Sequence, residues 1–301
     1  MSSDEGQEDR LHVLIPYWGP PGLLDATVAS VLSQTDPRWR VTIVDDAYPD
    51  PTAQETYADH PDPRVEYVRN EVNLGIAGNF ERCRTLATGT LAMFLGCDDL
   101  LHDDFVATIR RLHAAHPDAE MIQVGVRVID GAGQPSHGLA DRVKALIRPR
   151  ASSPLVLGGE RLAASLLRGN WLYWPSLVFR VDALQQRTFR ADLPIILDLA
   201  LIMDAIVAGN RLVLAPEICF DYRRHDESAS SLSLLQGERL ADERRYFGEV
   251  AATLEARGWS RAARAARTHW TSRLHAVSLL PAAVGSRSRS VTSRVLRHVV
   301  A

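Results

Sequence analysis

Two pairs of adjacent carboxylates mark this sequence: Asp45–Asp46 in RVTIVDD and Asp98–Asp99 in TLAMFLGCDD. Neighbouring carboxylates repel each other unless a proton or a cation intervenes. At Asp98–Asp99 a hard divalent cation with oxygen ligands resolves that repulsion, and Mg2+ or Mn2+ commonly shares such a shell with substrate phosphates. A plainer role is open to both pairs, because aspartates end strands and begin turns, and Asp103 suits a helix cap. Three further segments carry side chains able to do chemistry. PIILDLALIMDAIVAG holds Asp198, an acid where a helix dipole favours negative charge, with Asp204 roughly two turns on. NWLYWPSLVFR groups Trp171, Tyr173 and Trp174, which serve either to stack on a ligand or to fill a core. DYRRHDESAS sets Arg223, Arg224 and His225 in a row, and guanidinium pairs well with phosphate oxygens.

The elements that must position these groups follow from the hydrophobic pattern. LHVLI (Leu11–Ile15) reads as a buried strand, followed by a Pro/Gly turn and by Leu24, Val28, Val31 and Leu32 at helical spacing. RVTIVDD is a second strand, and its apolar run ends in the first acid pair. After a turn-rich stretch (Ala47–Thr52) and a short helix, RVEYV (Arg64–Val68) is a third strand. A helix near Gly78–Ala87 precedes TLAMFLG, a fourth strand leading to the second acid pair. Strands alternating with helices predict a largely parallel sheet covered on both faces. Ligands bind beyond the carboxyl ends of the strands in such sheets, and both acid pairs fall there.

Beyond Asp104 a helix to about Ala115 and a longer strand, EMIQVGVRVID, are expected. Gly, Pro, Ser and Arg in Gly131–Pro154 predict a mobile loop over the sheet. Helices fit Gly159–Arg168 and Asp198–Ala208, with strands near Leu177–Phe179, Arg211–Leu214 and Ile218–Tyr222. From Ser231 the chain is helical in pattern, rich in Ala and Arg, and ends in the basic, amphipathic VTSRVLRHVV. The expected plan is a disordered N-terminus (residues 1–10), one catalytic domain (11–230) and a helical C-terminal extension (231–301).

Composition narrows the class. The 301 residues, 46% hydrophobic and 24% charged, suffice for one large α/β domain. A formal net charge of −3 argues against nucleic acid as a partner. Cys83, Cys97 and Cys219 form no CxxC pair, so neither a disulfide framework nor a structural zinc is expected, and a reducing cytoplasm suits them. MSSDEGQEDR lacks the basic and apolar regions of a signal peptide, and no apolar run reaches bilayer-spanning length. The expectation is a cytoplasmic protein, or one peripheral at the inner face of the membrane.

VLIPYWGPPGLLDATVASVLSQT, then VTIVDDAYPD, NLGIAGNFERC and LAMFLGCDDLLHDDF, in this order and spacing, resemble glycosyltransferase family 2 over about residues 11–230. The second half of the resemblance is looser. It implies the GT-A nucleotide-diphospho-sugar transferase fold, a mostly parallel central sheet flanked by helices. It also implies an inverting reaction, a nucleotide-sugar-binding half (about 11–115) and an acceptor half (about 116–230). Pro16 and Tyr17 then line the nucleobase pocket, and Asp46 accepts a hydrogen bond from a base N–H. Asn73 and Gly75 flank the nucleotide, although Asn73 equally suits a turn. Asp98 faces the ribose, and Asp99 ligates Mn2+ or Mg2+ on the diphosphate. Asp198 matches the base that takes the acceptor proton, with Asp204 as second candidate. Trp171 and Trp174 fall on the acceptor side, Arg223 and Arg224 near the diphosphate, and His225 where some relatives complete the metal shell. The sequence departs from the pattern at Gly96–Cys97, where an acid often opens the metal motif.

The partners implied are a nucleotide-sugar donor and a glycan, lipid-linked or small-molecule acceptor. A uracil or thymine N3–H suits Asp46 best, favouring UDP- or dTDP-sugars. Arg287, Arg289, Arg294 and Arg297 suit an anionic membrane surface, a partner subunit in a homo-oligomer, or solvent. Two other classes stand beside the transferase. A sugar-phosphate nucleotidyltransferase needs a basic Gly-rich loop after the first strand, where this chain has PYWGPPGLLD. A nucleotide-binding relative without catalysis would lose the metal acids or the base, and this chain keeps Asp46, Asp99 and Asp198.

Overall fold

The computed structural model describes residues 10–136, 138–224 and 238–270, with single positions at 273, 277 and 293. The first strand, β1 (Leu11–Tyr17), is buried almost throughout because both of its faces are covered. Leu14 packs into one core cluster while Leu11, Val13 and Ile15 pack into the other, the alternation of a strand between two layers. β1 pairs in parallel with β2 (Trp39–Asp45) and β4 (Leu91–Phe94), and β2 with β3 (Val65–Arg69), so the order runs β3-β2-β1-β4.

The connecting helices are α1 (Pro21–Leu32), α2 (Thr52–Tyr57) and α3 (Gly75–Leu86). Pro21 opens α1, where its fixed φ and missing N–H cost nothing. Past β4 come the two-residue β5 (Leu100–Leu101), α4 (Phe105–Ala115), β6 (Met121–Ile129), α5 (Leu139–Ile147), β7 (Leu155–Leu157) and α6 (Gly159–Arg168). A 3-10 turn (Trp174–Ser176), β8 (Leu177–Arg180), α7 (Val181–Gln185), α8 (Leu197–Val207) and β9 (Leu212–Arg223) complete the sheet region. The full strand order is β3-β2-β1-β4-β8-β6-β9-β5, with β7 on β9. β8 is antiparallel to both β4 and β6, and β9 is parallel to β6 but antiparallel to β5 and β7. The parallel character expected of the sheet thus holds in its first half, and the second half is mixed.

Two expectations change. Arg211–Leu214 and Ile218–Tyr222 are one strand, β9, whose register on β6 shifts around Gly125. A Cβ at Gly125 would stand 2.8 Å from the carbonyl oxygens of both Pro216 and Glu217, so only glycine lets the bulged strand approach. Gly131–Pro154 is not a loop throughout, because α5 lies within it. The helical character expected of the C-terminal region is present in α9 (Glu238–Ala256) and α10 (Ser260–Thr268), where Tyr246, Leu254, Ala262 and Ala266 share one core cluster with Leu162 and Leu166 of α6 and Ile202 of α8. His225 and the arginines at 287, 289, 294 and 297 lie outside the described residues, as do residues 1–9.

Candidate active site

β1, β2 and β4 end side by side, and the two acid pairs stand at that edge of the sheet. The first pair divides into two roles. Asp45 is buried, bonded to Tyr67 Oη and Arg69 Nη1, and accepts the Tyr48 amide at 2.8 Å. It is a structural anion, neutralised within the sheet. Asp46, 3% exposed, receives Asn70 Nδ2 at 2.9 Å and the Leu74 amide at 2.8 Å, both on Oδ1. Its own amide donates to the Tyr17 carbonyl at 3.1 Å. Asp46 therefore ties the end of β2 to β1 and to the loop that carries Asn73 and Gly75, leaving Oδ2 with no hydrogen bond among the described residues.

Asn73 Oδ1 accepts the Gly75 amide at 2.8 Å, and Gly75 has φ +70°, which favours glycine at the head of α3. Ala47, next to Asp46, holds φ +61°, an uncommon conformation for a residue with a Cβ. Pro16 is half-buried at the end of β1. Tyr17 is buried, donates its hydroxyl to the Gly19 carbonyl at 2.7 Å and meets Tyr48 edge-on, with ring centroids 5.6 Å apart. The exposed Trp18 packs edge-to-face on the same Tyr48 at 5.2 Å, which adds an aromatic rim that the sequence reading passed over.

The second pair sits on a tight turn in which the Asp99 amide donates to the Gly96 carbonyl at 3.2 Å. Asp99 is 1% exposed, and its Oδ1 accepts the Arg223 amide at 2.8 Å. Its backbone carbonyl accepts Thr27 Oγ1 at 2.9 Å. A Cβ added at Gly96 would stand 2.5 Å from Asp99 Oδ2 and 3.0 Å from Asp98 Oδ1. Both carboxylates lean over the same glycine, so the departure at position 96 has a steric reason: a side chain there would displace them.

Burial, followed by the Asp98 charge, holds the Asp99 carboxyl well above the usual carboxylate range, despite the Arg223 amide. Two converging oxygens with an unfavourable charge balance fit a hard divalent cation. Among the described residues no three His, Cys, Asp or Glu side chains gather to hold a metal without other ligands. Phosphate and water oxygens are the natural remainder of such a shell.

Asp198 lies in the first turn of α8, with Asn170 Nδ2 at 3.5 Å from Oδ2. Beside it stands Lys144 of α5, the one lysine in the 301 residues. Its Nζ donates to the Leu172 carbonyl at 2.7 Å and lies 4.2 Å from the Tyr173 ring centroid. Burial and then Arg224 lower the ammonium to about 8, while Asp198 and Asp141 pull the other way. Asp141, buried on the same helix, accepts Tyr173 Oη at 2.9 Å and both arms of Arg224 at 2.6 and 2.8 Å. Tyr222 connects the two clusters: burial and then Asp99 raise its phenol to about 12, with Arg224, Asp98 and Asp141 acting on it as well. Asp98 and Asp99 thus share one electrostatic neighbourhood with the Asp141–Arg224–Lys144 group and, through Lys144, with Asp198.

Other expected residues have different employment. Trp171 is 1% exposed and donates Nε1 to Ser165 Oγ at 3.1 Å, which makes it a core aromatic and not a sugar-stacking face. Trp174 stacks on Phe94 at 5.4 Å amid Phe80, Phe179 and Phe189, so its ring is taken up by protein aromatics. Arg223 grips the Asp98–Asp99 turn, giving Nε to the Asp98 carbonyl at 2.8 Å and Nη1 to the Asp130 and Gly131 carbonyls at 3.2 Å. Arg224 is paired with Asp141 instead of standing open for a diphosphate. Asp204 is exposed near the far end of α8, with Arg187 and Arg190 as its charged neighbours. Asp141 and Lys144 were missed by the sequence reading, although a single lysine among so many arginines was a visible signal.

Residues 12–155 match the family model described as Glycosyl transferase family 2. The protein y4gI of Sinorhizobium fredii (strain NBRC 101917 / NGR234), which is uncharacterized, is 30% identical over 115 residues, 37% of this chain and 13% of that protein. TarS 1-349 of S. aureus in complex with UDP-GlcNAc superposes with a TM-score of 0.62 at 15% identity, over 80% of this chain and 66% of that one. The mannosyltransferase PcManGT of Pyrobaculum calidifontis, in complex with GDP-Man and Mn2+, superposes with a TM-score of 0.59 at 16% identity, over 97% and 86%. This chain therefore spans a small part of y4gI and about two thirds of TarS 1-349. With its central sheet and flanking helices the chain has the GT-A fold of these structures, and its residues 12–155 are similar to glycosyltransferase family 2.

Proposed function

We propose that this chain is an inverting, divalent-metal-dependent glycosyltransferase. It moves a sugar from a nucleotide-diphosphate donor, UDP- or dTDP-linked by preference, to a hydroxyl or amine of a glycan, lipid-linked glycan or natural product. The observation that carries this reading is the convergence of Asp98 and Asp99 over a glycine, at the strand ends where Asp46 keeps an oxygen free of protein hydrogen bonds. Asp46 Oδ2 is available to a uracil or thymine N3–H, with Pro16, Tyr17 and the Asn73–Gly75 loop around the base. The bound nucleotides of the two structural neighbours, UDP-GlcNAc in TarS and GDP-Man with Mn2+ in PcManGT, support a donor of this class.

Asp99, with Asp98 beside it, would hold Mn2+ or Mg2+, which when bound supplies charge neutralisation on the leaving diphosphate. Asp198 accepts the acceptor's proton as its oxygen or nitrogen attacks the anomeric carbon opposite the leaving group. The Lys144 ammonium provides counter-charge to that carboxylate, and the buried Asp141–Arg224 pair holds Tyr173 in place against it.

The test is thermal stabilisation of wild type and Asp99→Ala by UDP, dTDP, GDP and CDP, each with and without Mn2+. The expected result is a metal-dependent shift with UDP or dTDP that vanishes in the variant. The same shift in Asp99→Ala would overturn the metal assignment, and no shift with any nucleotide would overturn the donor reading.

A further inference from the structure

The helix α5 (Leu139–Ile147) is inverted in polarity. Two of its three charged residues point inward, Asp141 to Tyr173 and Arg224 and Lys144 to the Leu172 carbonyl, and just past its end Arg148 reaches the Val124 and Ala215 carbonyls. Three of its four large apolar residues point outward, with Leu139 77%, Val143 36% and Leu146 73% exposed, while Ile147 packs against the core. These three recur at helical spacing and form one stripe. Leucines at that exposure are costly in water unless something covers them.

The charges around the stripe say what kind of cover fits. Arg142 and Arg150 are exposed beside it, and neither makes an ion pair among the described residues. The only acid between Leu139 and Arg150 is Asp141, which is turned inward and neutralised by Arg224. A chain of net charge −3 therefore presents here a local face of leucine and arginine with no acid on it. Apolar side chains that insert and cations that stay at the surface are the pattern of a helix lying in the interface of an anionic bilayer. The basic C-terminal segment of the chain is a poor cover for the same face, because arginine would meet arginine.

We propose that the outward face of α5, through Leu139, Val143 and Leu146 with Arg142 and Arg150, docks on an anionic lipid surface. No helix among the described residues is long and apolar enough to cross a membrane, so α5 lies on the surface and does not anchor through it. Its inward face carries Lys144 and Asp141, so docking sets the candidate catalytic cluster directly behind the lipid-facing helix. In the reading proposed above, on which only this last step rests, that geometry favours an acceptor carried by a membrane lipid.

The experiment is flotation of the full chain with phosphatidylcholine vesicles, with and without phosphatidylglycerol, at low and high salt. Wild type is expected to float with the anionic vesicles and to release as salt rises. Leu139→Glu/Leu146→Glu is expected to bind them at least about tenfold more weakly. Leu139→Ser/Leu146→Ser, which leaves the charge unchanged, should also bind more weakly. Both positions are exposed, and an unchanged shift by UDP and Mn2+ shows that the fold and donor site are intact. Wild type that ignores anionic vesicles would overturn the proposal. So would variants that float as well as wild type, which would place binding on another surface. A concentration-dependent dimer in sedimentation that the leucine variants dissolve would overturn it too, because the cover would then be a second copy. Failure of nucleotide binding with vesicle binding retained would count against the proposed activity and leave this surface standing.

Discussion

Replacing Gly96 by alanine tests whether the Asp98 and Asp99 carboxylates, the proposed metal ligands, must converge. The new Cβ would lie 2.5 Å from Asp99 Oδ2, 3.0 Å from Asp98 Oδ1 and 3.2 Å from Asp99 Cγ, where ordinary contact begins at 3.4 Å. Asp98 is half-buried and can swing aside. Asp99 cannot do so freely, being buried and held on Oδ1 by the Arg223 amide. Relief therefore requires either a strained rotamer or a shift of the turn, at about 1–3 kcal/mol for overpacking. If the Arg223 amide loses its acceptor, a further cost of about 1–3 kcal/mol follows. A fall of several degrees in Tm is expected, together with a loss of at least about tenfold in metal-dependent UDP affinity, since one tenfold step is only about 1.4 kcal/mol. Differential scanning fluorimetry gives the first quantity and calorimetric titration of UDP with Mn2+ the second. Gly22→Ala is the control: its Cβ meets nothing within 4 Å and its site is helical, so Tm should hold or rise. A Gly96→Ala protein that binds UDP and Mn2+ as tightly as wild type would refute the argument.

Three other perturbations are equally specific. Asp99 has a raised folded pKa, so the metal-free protein binds more protons than its unfolded chain and loses stability as pH rises above the ordinary carboxylate range. Asp99→Asn, which keeps an oxygen for the Arg223 amide, should flatten that slope and raise the metal-free Tm at neutral pH while ending Mn2+-dependent binding; a wild-type Tm in chelator that does not fall with pH would contradict this. Lys144 has the opposite linkage: with its ammonium lowered to about 8, native protein binds fewer protons than unfolded chain up to the ordinary lysine value of about 10.4, so stability should rise across that window. Lys144→Met should remove the rise, and a wild-type curve lacking it would show that the ammonium is not desolvated. Asp198→Asn should leave UDP affinity near wild type while transfer falls by about two to four orders of magnitude, the scale of a positioned base; normal turnover in that variant would move the base role elsewhere.

How far the sequence reached depended on where each residue's partners come from. Strands β1, β2 and β4 were legible because each is a short apolar run that stops at a turn or an acid. Helix α6 was legible because glycines bound it on both sides. Helix α5 was hidden by its inverted polarity: with Asp141 and Lys144 inward and both leucines outward, it lacks the pattern of a core-facing helix. One strand was read as two because Pro216 and Glu217 interrupt its apolar run, and the accommodating Gly125 is on another strand. The division of labour between Asp45 and Asp46 was equally out of reach, since Tyr67 and Arg69, which neutralise Asp45, arrive from β3. Trp171 and Trp174 belong to the same class: whether an aromatic faces solvent or Phe94 is decided by packing across distant segments.

Arg223 has a bearing on how this fold can be rebuilt. The residue stands at the end of β9, far along the chain, yet its amide holds Asp99 and its side chain holds the Asp98 carbonyl. The stretch matched by the family model ends at residue 155, before that strand begins. The β1–β4 half is therefore not a transplantable module: a chimera joined near residue 115 would import its own version of the clasp on the Asp98–Asp99 turn along with a new second half. Grafts intended to exchange only the second half should keep the host's residues 212–224 and exchange what lies around them, because the seam between the halves runs through the sheet and not between positions in the sequence.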